Sequence, residues 1–162
     1  MIGTVLQINV SRGGVLKHPV AAARVEAAGV EGDGHAHPEI HGGPRQAVLV
    51  IAAEVIDQLS ALGFPVFPGA LGENLTTRGL DYRAWRLGQR WRIGADAVIE
   101  FTKVRQPCQS LLIYGAGIHT AIYDAQVNAG DPSSPKWGWS GMYGSVIAPG
   151  AVRSGDAVVA LE

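Results

Sequence analysis

The sequence is short of cysteine, of net charge and of long apolar runs. Cys108 is the only cysteine among 162 residues, which excludes an internal disulfide and suits a reducing cytoplasm. The formal net charge of −1 gives nucleic acid no electrostatic reason to bind. No apolar run reaches the roughly 18 residues of a spanning helix, and no basic segment precedes an apolar one at the N-terminus. We therefore expect a cytoplasmic protein with no membrane or nucleic-acid partner.

The sequence does contain an ordinary apolar fraction, 47%, and 22 scattered glycines. This length and composition predict one domain over residues 1–162, with a core that needs no disulfides. About seven short β-rich runs separated by glycine turns predict a mainly β fold, a barrel or strongly bent sheet decorated with a few helices. The clearest runs are residues 2–10, 46–51, 90–93, 97–104, 143–148 and 157–161.

Two segments carry the spacing of helices. Residues 52–62 repeat apolar side chains every three to four positions and stop at Gly63, a typical helix terminator. Residues 111–128 are expected to be helical in part, with interruptions near Gly115 and Gly117. Strands and helices therefore do not alternate regularly, which argues against a doubly wound fold.

Cys108 follows the last residues of a strand-like run and Pro107, which ends strand pairing because it has no backbone donor. Lys103 and Arg105 stand two positions apart and would share one face of an extended chain, where their charge favours a thiolate. These residues indicate a sulfur nucleophile or a metal ligand. The alternative is an inert, partly buried thiol that acts as a small apolar side chain.

Residues 29–44 form a glycine-rich stretch that holds His35, His37 and His41 beside several carboxylates. Imidazoles near a carboxylate can form a metal site, although this spacing matches no standard zinc pattern. The alternative is turn chemistry, in which Asp33 caps backbone amides and the glycines adopt positive φ. The amides of such a loop can also cradle an anion.

Two further loops could face a ligand. Residues 68–75 include the pair Glu73-Asn74, which either directs an amide side chain at a ligand or bends the entry to a strand. Residues 137–144 alternate aromatic residues with glycine and either cap a pocket or pack in the core. Neither a G-x-x-x-x-G-K phosphate loop nor a G-x-S-x-G serine motif occurs in the sequence.

In chain order, these segments resemble the MOSC domain, the family named for the C-terminal domain of molybdenum cofactor sulfurases, and most of all its small stand-alone bacterial members of the YiiM type. The matching motifs are Gly32-Asp33, His41-Gly42-Gly43-Pro44 followed by Gln46-Ala47-Val48, Pro68-Gly69 with Gly72-Glu73-Asn74-Leu75, Pro107-Cys108, and Gly150 with Gly155-Asp156. The resemblance covers about residues 14–158. It implies a β-barrel related to the pyruvate-kinase β-domain and a central role for Cys108.

The resemblance implies two roles for Cys108. In the first, Cys108 is the metal ligand and catalytic residue of an oxidoreductase that uses a molybdenum cofactor of the pterin type to reduce N-hydroxylated small molecules. In the second, Cys108 carries persulfide sulfur received from a desulfurase whose pyridoxal phosphate stays on that partner enzyme. A third hypothesis is a metal-free binding or sensor domain. The oxidoreductase needs an external reductase, because the sequence has no flavin or iron–sulfur signature.

Eight residues are expected to surround Cys108 and bind the cofactor: Asp33, His41, Gly42, Gly43, Arg45, Asn74, Lys103 and Arg105. The chain departs from its YiiM-like relatives between Asp33 and His41, where they usually carry basic residues and this chain carries histidines. If basic residues hold the cofactor phosphate in the relatives, that task falls here to backbone amides, Lys17, Arg45 or Arg105, or is lost.

Overall fold

The computed structural model of the chain describes residues 1–34 and 43–162. Its strands are β1 (Ile2–Val10), β2 (His18–Val20), β3 (Ala22–Glu26), β4 (Gly29–Val30), β5 (Val48–Ala52), β6 (Leu75–Arg78), β7 (Arg90–Ile93), β8 (Ala97–Val104), β9 (Met142–Ala148), β10 (Gly150–Arg153) and β11 (Ala157–Leu161). Its α-helices are α1 (Ala53–Ala61), α2 (Ile118–Ile122) and α3 (Ala125–Asn128). Short 3₁₀ helices span Pro44–Gln46, Tyr82–Ala84 and Gln109–Tyr114.

Seven strands close into a barrel. Around the ring they run β1, β11, β7, β8, β9, β5 and β6, and β6 returns to β1. The pair β5–β6 is parallel, and α1 lies in the long connection that parallel strands require. The ring is closed by antiparallel pairing of β1 with β11, in which Ile2 lies opposite Val159. Strand β2 extends β1 outside the ring, and β10, β3 and β4 form a separate small sheet.

Aromatic side chains from three neighbouring segments fill part of the core. The Phe101 ring lies 5.3 Å from the Trp85 ring and 5.9 Å from the Trp91 ring, centre to centre, and all three side chains are buried. Replacing a buried aromatic residue of this kind by alanine typically costs about 3–5 kcal/mol. The strands around them, β7 and β8, are therefore firmly anchored.

Helix α1 illustrates how the local sequence determines the structure. Val55, Ile56 and Leu59 recur at helical spacing and are buried, so one face of α1 packs against the core. Gly63 adopts a φ of 97°, a left-handed conformation that glycine tolerates best, directly after the helix. The terminator predicted from the sequence is therefore confirmed.

The mainly β barrel predicted from the sequence is confirmed, and the bounds predicted for β7 and β8 match the structure. Strand β10 was not predicted, because it begins at Gly150 of the pair Pro149-Gly150, residues that are typical of turns. Strand β6 is short and polar, and it was foreseen only as the alternative for residues 68–75, a bent entry to a strand. Among the described helices, none has the length and apolar character needed to cross a lipid bilayer.

Candidate functional site

Cys108 lies just beyond β8, at the start of the 3₁₀ helix Gln109–Tyr114. Its backbone is extended and its side chain is half-buried. The Cys108 carbonyl accepts a hydrogen bond from the Leu111 N–H at 3.2 Å and lies 2.8 Å from Nε2 of His119 on α2. The backbone that presents the sulfur is therefore held from two sides.

Arg105 is the charged side chain closest to the sulfur. It is only 3% exposed, and its Nη2 lies 3.8 Å from the Cys108 Sγ. The Arg105 N–H donates to the Gly141 carbonyl at 3.0 Å, and the Ser140 hydroxyl donates to the Arg105 carbonyl at 2.6 Å. These two bonds fix the backbone at the end of β8 and direct the guanidinium toward Cys108.

The surroundings of Cys108 stabilise its thiolate. Burial by itself would raise the pKa of the Cys108 thiol, but the hydrogen bond with Ser110 and the charge of Arg105 outweigh it and lower the pKa below its ordinary value. The Ser110 Oγ lies 2.7 Å from the sulfur. A larger thiolate fraction near neutral pH makes Cys108 a better nucleophile and a better ligand for a soft metal.

Tyr143 is a second ionisable group within electrostatic reach of this sulfur. It lies on β9 opposite Lys103 and is half-buried. Burial raises the pKa of the Tyr143 phenol; the charge of Arg105 lowers it, and the charge of Cys108 raises it. The net shift is upward, so the phenol stays protonated near neutral pH.

Asp33 and Asn74 belong to a buried hydrogen-bond network. Both carboxylate oxygens of Asp33 lie 2.6 Å from the Lys17 Nζ, and Asp33 also accepts bonds from the Ser11 N–H and from the Asn74 amide at 2.9 and 2.8 Å. The Asn74 Oδ1 accepts from the Leu49 N–H at 3.0 Å. Asn74 and Lys17 are therefore occupied by internal partners, and the turn chemistry foreseen for Asp33 is present.

Glu73 extends the same network toward Arg105. Its Oε1 accepts bonds from the Gly69 N–H and from the Thr76 hydroxyl, and the Thr76 Oγ1 in turn accepts from the Asn9 amide at 3.1 Å. Glu73 is completely buried, and burial raises its pKa in spite of these hydrogen bonds and the nearby Arg105 charge.

The other predicted site residues differ in their surroundings. Gly43 is exposed with a φ of 84°, and Arg45 and Lys103 are exposed on neighbouring segments, where the Thr102 hydroxyl donates to the Arg45 carbonyl. Lys103 and Arg105 were expected to share one face, but Lys103 is exposed and Arg105 is buried. The two side chains differ because β8 ends at Val104 and only Arg105 turns inward. The predicted residues His41 and Gly42, with His35 and His37, lie outside the described residues.

Within residues 1–34 and 43–162, no three histidine, cysteine or acidic side chains come together as a metal site. The aromatic loop 137–144 packs Trp137 and Trp139 into the core, so the packing alternative is confirmed for them.

Sequence reasoning missed several neighbours of Cys108. Ser110 stands two positions after the cysteine, and a hydroxyl so close in sequence was the one detectable signal. His119 reaches the site from α2, and nothing in its local sequence marks it. Tyr143 reaches it from β9 and belongs to the aromatic segment 137–144, which was considered as a pocket cap but without a role for this residue.

Comparison with known proteins identifies relatives of this chain. The model of the MOSC domain matches residues 37–159. The uncharacterized protein YflK of Bacillus subtilis is 32% identical over 144 residues, which cover 88% of this chain and 60% of YflK. Protein YiiM of Escherichia coli is 38% identical over 142 residues, which cover 82% of this chain and 56% of YiiM. The chain thus spans under two thirds of the length of these curated relatives.

A solved structure shares the fold. The crystal structure of YiiM from Geobacillus stearothermophilus superposes with a TM-score of 0.69 at 24% identity, and the match covers 99% of this chain and 75% of that one. At this level of identity the likeness concerns the fold.

Proposed function

Since this chain belongs to the MOSC domain family, we propose that it binds a molybdenum cofactor through Cys108 and reduces N-hydroxylated small molecules. The observation that carries the proposal is the half-buried thiol with a lowered pKa, set against the buried guanidinium of Arg105. A soft thiolate is the side chain that suits such a metal, and no other cysteine exists in the sequence.

The residues present fit a cofactor that brings most of its own metal ligands. Such a cofactor requires one soft ligand from the protein, and the described residues offer one, Cys108. Arg105 adds a positive charge whose buried Nε has no hydrogen-bond partner in the described structure, so the guanidinium retains capacity for an anionic group. Arg45 and Lys103, both exposed, are two further proposed contacts with the cofactor.

The reaction needs two electrons and two protons: the N–O bond breaks, an N–H bond forms and the oxygen leaves as water. When bound, the cofactor supplies the two-electron chemistry. The electrons come from an external reductase. The residues of this chain would hold and orient the bound groups: Cys108 would anchor the metal, and Arg105 would stabilise negative charge beside it.

The direct test is metal analysis of protein expressed in a host that makes the cofactor, compared with Cys108→Ser. The proposal expects near-stoichiometric molybdenum in the native protein and little in the variant. Circular dichroism of both proteins controls for folding. Equal molybdenum content in both proteins, or none in the native protein, would contradict the proposal.

A sulfur-carrier function is the second candidate. The side chain of Cys108 is only half-buried, and its neighbours Gln109, Leu112 and Ile113 are exposed, which leaves room for a partner enzyme to reach the sulfur. The expected chemistry is transfer of one sulfur atom from the persulfide of a pyridoxal-phosphate-dependent desulfurase onto the Cys108 thiolate.

Mass spectrometry after incubation with such a desulfurase and free cysteine tests this second candidate. A mass increase of one sulfur on native protein, absent in Cys108→Ser, would support it. If neither molybdenum nor sulfur is found, the metal-free binding or sensor domain becomes the better hypothesis.

A further inference from the structure

Arg105 is a buried cation that has no carboxylate partner within residues 1–34 and 43–162. A guanidinium carries five N–H donors, yet the polar contacts of this one are long: Nη1 to the Ser140 carbonyl at 3.5 Å and Nη2 to the Cys108 Sγ at 3.8 Å. Among the described residues, no carboxylate oxygen lies within 4.0 Å of an Arg105 side-chain nitrogen, the distance that defines an ion pair. Burying a charge is costly when so few hydrogen bonds and no described counter-charge compensate its lost hydration, so its position depends on the groups that surround it.

The group that holds Arg105 is the turn formed by residues 69–73. A Cβ added at Gly72 would lie 3.9 Å from the Arg105 Nη2, an ordinary van der Waals distance, and 3.3 Å from the Val15 side chain, so the guanidinium lies beside this turn. Gly72 has a φ of 86°, which a residue with a side chain adopts only under strain. The position of the guanidinium therefore depends on the shape of the turn.

Glu73 maintains that shape. Its Oε1 receives the Gly69 N–H at the start of the turn and the Thr76 hydroxyl just after it, so a single oxygen closes the segment on itself. The Glu73 Oε2 and the Arg105 Nε are both buried and have no partner in the described structure. The carboxyl thus braces the turn beneath the guanidinium and does not pair with it.

We propose that Glu73 is a positioning residue that acts on Cys108 through Arg105, by bracing the 69–73 turn on which the guanidinium packs and so holding its charge beside the sulfur. This role deepens the proposed function, and it rests on that function only in treating Cys108 as the working group.

The direction of the Glu73 pKa agrees with this role. Burial raises the pKa of its carboxyl, and the ionisable groups that face it are Arg105 and Tyr114. Tyr114 donates its hydroxyl to the Ala70 carbonyl within the same turn. A raised pKa reduces the negative charge that Glu73 sets against Arg105, so more of the Arg105 charge remains available to the sulfur and to whatever binds it.

The test measures charge at the sulfur by comparing two alkylating reagents on metal-free protein. Iodoacetate is an anion and iodoacetamide is neutral, and both react with the same thiolate. The ratio of their rates therefore reports the local positive charge and cancels any change in the thiolate fraction. The Arg105→Gln variant is the reference, because it gives the ratio of the iodoacetate and iodoacetamide rates when this charge is absent.

Glu73→Ala should lower the iodoacetate-to-iodoacetamide ratio toward that of Arg105→Gln, by about fivefold or more, the Coulomb scale for unit charges near 4 Å. Glu73→Gln keeps an oxygen for the Gly69 N–H and adds no charge, so it should retain the native ratio within about twofold. The Gln variant also keeps the proposal testable if the Ala variant does not fold.

Glu54→Ala is the matched control. The Glu54 Oε1 also accepts a glycine N–H, from Gly79 at 2.8 Å, and its Oε2 is also buried without a partner, but it lies on α1 and has no described interaction with Arg105. This control should lose stability and keep the native ratio.

A folded Glu73→Ala protein with the native ratio would overturn the proposal. A Glu73→Gln ratio raised severalfold would overturn it too, because it would make Glu73 an ionised counterion. Both readings come from protein without molybdenum, so failure here leaves the metal analysis of native protein and Cys108→Ser to decide the proposed function separately.

Discussion

Two buried cations, Lys17 and Arg105, are treated in opposite ways by this fold. Lys17 has a carboxylate at 2.6 Å through both of its oxygens, and that carboxylate, Asp33, is itself saturated by Ser11 and Asn74. Arg105 is equally buried, but among the described residues its guanidinium has only the long contacts with the Ser140 carbonyl and the Cys108 Sγ. The pair of Lys17 and Asp33 has its hydrogen bonds satisfied and stabilises the structure. The Arg105 guanidinium has donors that no described residue satisfies, which is typical of functional sites.

Breaking the saturated pair should have the largest effect. Asp33→Ala leaves Lys17 buried without a counterion, and we expect the free energy of unfolding to fall by about 3–5 kcal/mol. Urea titration measures it. Glu26→Ala, which breaks the exposed pair of Arg24 and Glu26, is the control and should change stability by less than about 1 kcal/mol. Similar losses in both variants would remove the distinction between the two kinds of ion pair.

Removing the unsatisfied cation should change reactivity more than stability. In Arg105→Gln the pKa of Cys108 should rise, because the guanidinium that favours the thiolate is gone. At neutral pH, alkylation by iodoacetamide should slow severalfold, and the rate-against-pH profile should move to higher pH. An unchanged profile would show that Ser110 alone lowers the pKa of the thiol.

Glu73→Gln should alter how stability depends on pH. The pKa of Glu73 is raised in the folded protein, so its contribution to stability is full below the unfolded value of 4.5 and is lost as the pH rises through the folded value. The variant, which cannot ionise, should gain stability relative to the native protein as the pH rises from 4.5. Parallel stability curves for the two proteins would contradict this prediction.

The exposed cation beside the site should matter least. Lys103 is exposed, and the main groups that lower the pKa of Cys108 are Ser110 and Arg105, so Lys103→Ala should change the alkylation rate of Cys108 by less than about twofold. Rates measured at low and high salt provide the check. A strong salt-dependent loss in this variant would mean that exposed charge, and not Arg105, governs the sulfur.

The sequence predicted the barrel and the hairpin of β7 and β8 because alternating apolar residues and a glycine turn lie within a short stretch of chain. It could not predict that Lys17 meets Asp33, since this ion pair depends on where the loop after β1 folds back. The different fates of Lys103 and Arg105 depend on where β8 ends, and strand ends are poorly marked in sequence. The motif residues were found by resemblance, but their bonding depends on tertiary contacts.

Closure of the ring by β1 and β11 has a consequence for the order of folding. The two strands come from opposite ends of the described chain, so their pairing carries the greatest loop-closure entropy in the barrel. The antiparallel partners β8 and β9, which flank Cys108, need a much shorter loop. In pulse-labelled hydrogen exchange, we expect the corner that holds the thiol to gain protection before the seam between β1 and β11, which should be protected last.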